Sequence, residues 1–306
     1  MNNGLSAAIL GWKSPATTRH SLQTYADTGF YDCCDEFFVY YNQYTAEDKA
    51  LCDEMGVRSC GTSANSGNWG GQKGILAEAK NDYILFLEND HPVVVDHDEM
   101  AKWSDGGLRL LKEGKADIVL LRHRNKLGDA YGFGTKPFKY YYVHELNPAF
   151  ADYVKKATDI PADFDRDTFP RKLRRLLRPF KAVRRSISAL YLEKYPEKVL
   201  PRYIHRDGDF LIVDSAILNF SESPFMISRG FYNLLSAWAE KHPRHRTILG
   251  HQNLEYILNC RWWRKQHFRL ATCDGGVFGH ERKDDSWRPN SSAYSQRLVD
   301  EGTVGK

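Results

Sequence analysis

An α/β fold, with a mainly parallel, doubly wound sheet flanked by helices, follows from two features of this sequence. Short, almost wholly apolar runs alternate with helix-like stretches at the spacing of βα units. One run, Tyr83 to Leu87, carries no charge and then breaks into Glu88-Asn89-Asp90-His91-Pro92. A strand buried on both faces reads this way when it reaches the edge of its sheet.

Leu5 to Trp12 is the first strand. Ser14 suits the cap and Pro15 the first position of the helix that follows, with Leu22, Tyr25 and Ala26 facing inward. Glu36 to Tyr41 is a second strand ending at Asn42, Ala46 to Glu54 a helix closed at Gly56, and Val57 to Cys60 a short strand. Gly61 to Gly74, GTSANSGNWGGQKG, reads as a loop whose backbone N–H groups suit a phosphate or a sugar. It has neither the spacing of a Walker A loop nor GxGxxG. Gln72 to Lys80 is then the helix leading into the central strand.

Asp98 to Lys112 is helical and Ala116 to Leu121 is another buried strand, with basic Arg122-His123-Arg124-Asn125 after it. Gly128 to Tyr142, rich in Gly and Tyr, is either a substrate-edge loop or a strand packed on the core. Beyond residue 207 the rhythm resumes: Asp209 to Asp214 is a strand, Ser223 to Arg229 leads into a helix from Gly230 to Lys241, and Thr247 to Leu258 is a loop entering a helix. Arg269 to Cys273 is a strand, followed by Asp274 to Arg282 and a polar tail.

With 306 residues, 42% of them hydrophobic and 27% charged, the chain has material for one large or two ordinary folded domains. Its six cysteines form no CxxC pair, so reduced thiols in a cytosolic setting are expected and zinc is not. No run of about 18 apolar residues exists to span a bilayer, and the start lacks a basic n-region. A cytoplasmic protein is expected, with peripheral contact at the inner membrane surface as its route to lipid.

That route is the basic segment. The net charge is +4, yet Arg171 to Arg185 carries eight Lys or Arg and no acid, so the remainder is negative. Within 161–207, Leu173, Leu176, Leu177, Phe180, Val183, Ile187 and Leu190 recur at three and four, with arginines on the other faces and Pro179 dividing the helix. Such a helix suits anionic lipid, an acidic partner or nucleic acid, or packs by its leucines with its charges solvated.

The chemistry concentrates at Glu88 and Asp90. Two carboxylates at the mouth of a buried strand cost desolvation energy unless a cation or ligand hydroxyl compensates them, and the carboxyl ends of parallel strands are where open α/β sheets bind ligands. The alternative is a plain turn whose acids face water.

The order of parts resembles the inverting GT-A glycosyltransferases, in particular the family 2-like group. The resemblance rests on SPATTRHSL after the first strand, Asn42, the loop with Asn65 and Gly67, and YILFLEND. It covers residues 5 to 125 well and resumes more weakly from 209 to 282. It implies a nucleotide-sugar-binding half (1–125), an acceptor-binding half (126–282) carrying the basic helical insertion (161–207), and a C-terminal tail (283–306).

Position by position, Glu88-Asn89-Asp90 is similar to that family's DxD-type motif. Asp90 would bind Mn²⁺ or Mg²⁺ on the donor diphosphate, and Glu88 would lie near the ribose with Asn89 between them. Trp12, Ser14 and Asn42 resemble nucleobase positions, and by the same resemblance Asn65, Gly67 and Gln72 would contact the donor. His280, in GVFGHER, resembles a late histidine that holds metal or diphosphate. Where the family carries a Glu-Asp pair this chain has Gln252-Asn253, which cannot take a proton, so Glu255 and His251 are the candidate bases, with Asp214 a third.

The resemblance implies metal-assisted, inverting hexosyl or pentosyl transfer from a UDP- or GDP-sugar to a hydroxyl of a glycan, lipid or protein acceptor. Membrane contact would run through 171–190, and no nucleic acid is expected. The rivals are a nucleotidyltransferase on a related fold and a non-catalytic protein binding nucleic acid or membrane through the basic helix.

Overall fold

The computed structural model describes residues 4–123, 197, 201–222, 224–244, 247–273 and 275–284. The Tyr-rich stretch 128–142 and the basic segment 171–190 lie outside the described residues.

The first half follows the expected βα rhythm: β1 (Leu5–Gly11), α1 (Pro15–Thr28), β2 (Glu36–Tyr41), α2 (Ala46–Glu54), β3 (Arg58–Gly61), α3 (Gly67–Glu78), β4 (Tyr83–Glu88), α4 (His97–Lys112) and β5 (Ile118–Leu120). The second half brings β6 (Ile204–Asp207), β7 (Phe210–Asp214), β8 (Phe225–Ser228), α5 (Arg229–Glu240), α6 (Leu254–Leu258), α7 (Arg261–Lys265) and β9 (Arg269–Cys273).

The nine strands of the described residues form one sheet in the order β3-β2-β1-β4-β8-β5-β9-β7-β6. The β3-β2-β1-β4 half is parallel, as expected. Across the other half β8 runs antiparallel to both β4 and β5, and β7 is antiparallel to β9 and to β6. Alternate side chains feed two cores: Ala8, Leu10, Phe38, Tyr40, Ile84 and Phe86 face α3, α5, α6 and α7. Ala7, Ile9, Val39, Leu85 and Leu87 face α1 and α4.

Four expectations need correcting. The small-residue stretch is mostly helix, since α3 begins at Gly67 and not at Gln72. Its glycines let the helix lie close on the sheet: a Cβ at Gly71 would stand 2.4 Å from Leu10 Cδ1, and one at Gly74 2.1 Å from Tyr40 Cζ. Phe225–Ser228, expected as the approach to a helix, is itself a central strand. No turn separates it from α5, because Ser228 ends the strand and caps the helix by accepting from Phe231 N. The last residues of the expected helical insertion form β6, which among the described residues pairs only with β7; an edge strand tolerates a sequence as polar as IHRD. Ala26 is exposed, and the inward face of α1 is Thr17, Thr18, Ser21, Leu22 and Tyr25.

The register sets the site. Gly11 pairs with Tyr41 and Leu10 with Glu88, so the loops after β1, β2 and β4 leave the sheet side by side at its carboxyl edge. The chain winds outward from β1 through β2 to β3 and then returns to β4 on the other side, which makes the β1–β4 boundary the topological switch point. Phe225 pairs with Phe86 and with Leu120, which brings the residues just before antiparallel β8 to this same edge.

Candidate active site

The turn after β4 is built by its own histidine. His91 N donates to Glu88 O (3.2 Å) and Glu88 N donates to His91 Nδ1 (2.9 Å). Burial lowers the His91 pKa to about 4, with the Arg122 charge adding to it and Asp90 opposing. The ring is therefore neutral; with Nδ1 accepting, its proton sits on Nε2, 3.6 Å from Asp90 Oδ1. The inward face of α1, expected as Leu22, Tyr25 and Ala26 but largely polar, grips the turn: Ser21 Oγ donates to Asn89 O (2.7 Å), Tyr25 OH to His91 O (2.7 Å), and Asn89 Nδ2 to Thr18 Oγ1 (3.3 Å).

The two carboxylates have different surroundings. Glu88 Oε1 accepts from Asn68 Nδ2 (2.8 Å), Asn68 Oδ1 from Gln72 Nε2 (2.8 Å), and Gln72 Oε1 from Tyr232 OH (3.1 Å). Gln72, buried in α3, thus serves as a prop for Glu88. Asp90 is 3% exposed. Its Oδ2 is paired with Arg282 and lies 3.3 Å from His280 Nε2. Its Oδ1 is buried with no hydrogen-bond partner among the described residues.

His280 and Arg282 arrive on a strap after β9. Gly279 N donates to Pro92 O and Glu281 N to Asp90 O, both at 2.9 Å, while Lys283 N and Asp284 N reach Thr17 Oγ1 at 3.1 and 3.2 Å. Glu281 meets His20 of α1 at 2.9 Å. Ser14 occupies the cap position of α1, but its hydroxyl faces Thr17 Oγ1 (2.9 Å) and Asp284 O (3.1 Å), tying the strap to the helix.

At the β1 and β2 ends, Trp12 is half-buried with its Nε1 3.5 Å from Gln43 Oε1, between Lys13 and Gln43 in the left-handed region at φ 44° and 63°. Asn42 is buried and structural: Nδ2 donates to Gly67 O (2.9 Å) and Oδ1 accepts from Ser66 Oγ (2.7 Å). Asn65 Oδ1 accepts from Gly67 N (2.8 Å). Gly67 has φ 74°, and a Cβ there would meet His251 Cβ at 2.4 Å, so the acceptor-side loop packs directly on the start of α3.

That loop is a tight hairpin. Ile248 and His251 exchange two backbone hydrogen bonds of 2.9 Å around Leu249 and Gly250, at φ 48° and 81°, the signature of a type I′ turn. Gln252 pairs both ends of its amide with the Arg244 backbone (2.9 and 2.7 Å). Asn253 caps α6 through Oδ1 and donates from Nδ2 to Glu222 Oε2 (2.8 Å). His251 and Glu255 are both half-buried on this loop and helix. Glu222, just before β8, is an acid that the sequence reading missed, because a single Glu in Ser-Glu-Ser-Pro carries no pattern. Asp214 does not belong here: it lies opposite Arg269 at the amino edge of the sheet, bonded to His267 Nδ1 (2.8 Å).

The donor set suits a hard divalent cation. Glu88, Asp90 and His91 each place one ligand atom within 4.8 Å of the others, and the unsatisfied Asp90 Oδ1 is the oxygen such an ion would complete. His91, whose Nδ1 is engaged and whose Nε2 carries the proton, acts as support for the turn.

The six cysteines are free, and no helix among the described residues is long and apolar enough to cross a membrane. No protein-family model and no curated protein matches the sequence. Among solved structures the chain is similar to glucosyl-3-phosphoglycerate synthase from Mycobacterium tuberculosis in complex with Mn²⁺, uridine diphosphate and glucosyl-3-phosphoglycerate, at 13% identity and TM-score 0.43 over 99% of this chain and 81% of that one. It is also similar to a nucleotidyl transferase from Methanothermobacter thermautotroptrophicus, at 10% identity and TM-score 0.41 over 98% and 96%. A third likeness, to S. aureus TarS 1-349, has 16% identity and TM-score 0.33 and takes in 42% of this chain but only 38% of that one. At such identities and TM-scores these likenesses carry no functional argument.

Proposed function

We propose that the protein is a metal-assisted glycosyltransferase of GT-A type, moving a sugar from a nucleoside-diphosphate donor to an acceptor hydroxyl with inversion. One observation carries the reading: a buried carboxylate, Asp90, with one oxygen unsatisfied among the described residues, stands at the carboxyl edge beside the switch point of the sheet. The donor-binding roles that follow come from the sequence resemblance to the GT-A glycosyltransferases.

In this reading Asp90 and His280 would hold Mn²⁺ or Mg²⁺, whose charge would offset that of the donor diphosphate. Trp12 and the β2 end beside Asn42 border the nucleobase. Glu88, fixed by Asn68 and Gln72, is the acceptor for a ribose hydroxyl. Asn89, bonded to α1, keeps the two acids at constant spacing. The base that takes the acceptor proton is one of His251 and Glu255, two residues to either side of the α6 cap Asn253, and Glu222, which Asn253 bonds.

Thermal melts with UDP, GDP, CDP and TDP, each with and without Mn²⁺ or Mg²⁺, test this. A ligand at a hundred times its dissociation constant stabilises the native state by about 2.7 kcal/mol. A cation-dependent shift with one nucleoside diphosphate is expected, and its loss in Asp90→Asn. Absence of a shift with all four overturns the reading, and pyrophosphate as product identifies a nucleotidyltransferase.

A further inference from the structure

Asp90 already has a cation beside it. The Arg282 Nη2 that pairs with Asp90 Oδ2 is also 2.9 Å from His280 Nε2, and His280 Nε2 is 3.3 Å from Asp90 Oδ2. A guanidinium nitrogen bears two hydrogens, so it donates to both neighbours at once, and the His280 Nε2 lone pair then points at the same spot as the carboxylate oxygen. Asp90 and His280 are 3% and 2% exposed, and the Arg282 side chain 13%. A carboxylate buried to this degree without a countercharge would be strongly destabilising, and the strap supplies that charge from within the chain.

The spot held by Nη2 is therefore one that an acid oxygen and an imidazole nitrogen face together, the arrangement that holds a divalent ion. We infer that Arg282 is a built-in counter-cation that closes the Asp90–His280 pair, and that a divalent metal bridging the two through Asp90 Oδ2 and His280 Nε2 enters only by expelling it, with Asp90 Oδ1 left open to the same ion. The inference rests on the metal-assisted reading above, with Asp90 and His280 as the metal ligands. With Arg282 seated on Asp90 the site is closed, and the guanidinium locks the strap to the turn after β4. Metal alone then binds weakly, and the anionic donor favours exchange because its diphosphate offers the released guanidinium a new partner.

The test is Mn²⁺ binding without nucleotide, read from the free-ion electron paramagnetic resonance signal, in wild type, Arg282→Gln and Arg282→Lys. Removing a competing buried charge should tighten Mn²⁺ binding in Arg282→Gln by about tenfold or more, while Arg282→Lys stays within about threefold of wild type. Equal affinity in wild type and Arg282→Gln, or no Mn²⁺ bound by either, overturns the inference. Should Arg282→Gln not fold, wild type decides: millimolar Mn²⁺ should speed hydrogen exchange at the Glu281, Lys283 and Asp284 amides, which are bonded to Asp90 O and Thr17 Oγ1. Unchanged or slower exchange overturns it. The nucleotide melts judge the glycosyltransferase reading separately, so the failure of one is distinguishable from the failure of the other.

Discussion

Glu36 illustrates how single polar residues are committed in this fold. Its side chain, only 9% exposed, accepts from Ser6 Oγ (2.7 Å) and Lys80 N (2.9 Å) and faces Arg58 at 3.1 Å. Burial pushes its pKa up, but the Lys80 N–H, the Ser6 hydroxyl and the Arg58 and Lys80 charges outweigh that and hold it below the ordinary value of 4.5. The folded state thus binds this proton less readily than the unfolded chain. The stabilisation is present above pH 4.5 and disappears as pH falls through the folded-state pKa. Urea midpoints should decline on acidification below that pH, and Glu36→Gln should be less stable at pH 7 with a shallower acid limb. An equally steep limb in the variant would refute the assignment. Asn42 and Gln72 show the same commitment. Their type and place suggested ligand contacts, yet their amides are used within the fold, because a buried amide must be satisfied somewhere and composition does not say where.

Among the elements, α3 is the most informative. Its Gly-rich start looks like a loop because glycine costs about 1 kcal/mol against alanine inside a helix. On propensity alone Gly74→Ala should stabilise; the Tyr40 ring 2.1 Å from the new Cβ reverses the sign. Urea denaturation should find Gly74→Ala destabilised by roughly 1–3 kcal/mol, the ordinary cost of overpacking, and a gain in stability would show that the helix can lift off. The far end of α3 is held by Arg229, which reaches the Leu76, Ala79 and Asn81 carbonyls at 2.5, 2.5 and 2.9 Å and so answers the orphan acceptors of a helix C-terminus. Since hydrogen bonds to a charged group contribute about 1.5–3 kcal/mol, Arg229→Ala should lose at least about that much stability in the same assay. A loss under about 0.5 kcal/mol would assign the carbonyls to water.

For the molecule as a whole, strand direction divides the acids into two populations. Glu88, Asp90 and Glu222 stand at the carboxyl edge; Asp117 and Asp214 stand at the amino edge beside Arg269. Glu222→Gln should keep the nucleotide-induced melting shift while lowering turnover at least about a hundredfold if it is the base, within the range for lost general-base catalysis. Asp214→Asn should lower the melting temperature and leave turnover per folded molecule unchanged. Reduced turnover in folded Asp214→Asn would move the chemistry to the other edge.

Local pattern in the sequence was enough to determine the order of strands and helices in the β1-to-β5 half. Uncharged apolar runs there occur only where both sheet faces are covered, and Pro15, Gly56 and the acids after Leu87 mark the ends of elements. It also drew attention to Asp90, at the end of one buried strand, whereas His280 in GVFGHER came from the family resemblance alone. Four things only the tertiary structure decided: the insertion of β8 between β4 and β5, the conversion of a Gly-rich stretch into a packed helix, the placing of Asp214 away from the site, and the seating of Arg282 on Asp90. Each depends on which distant segments meet. A four-residue strand, a glycine contact and an ion pair across the chain leave no periodicity in the sequence, because their energies come from partners that local spacing does not encode.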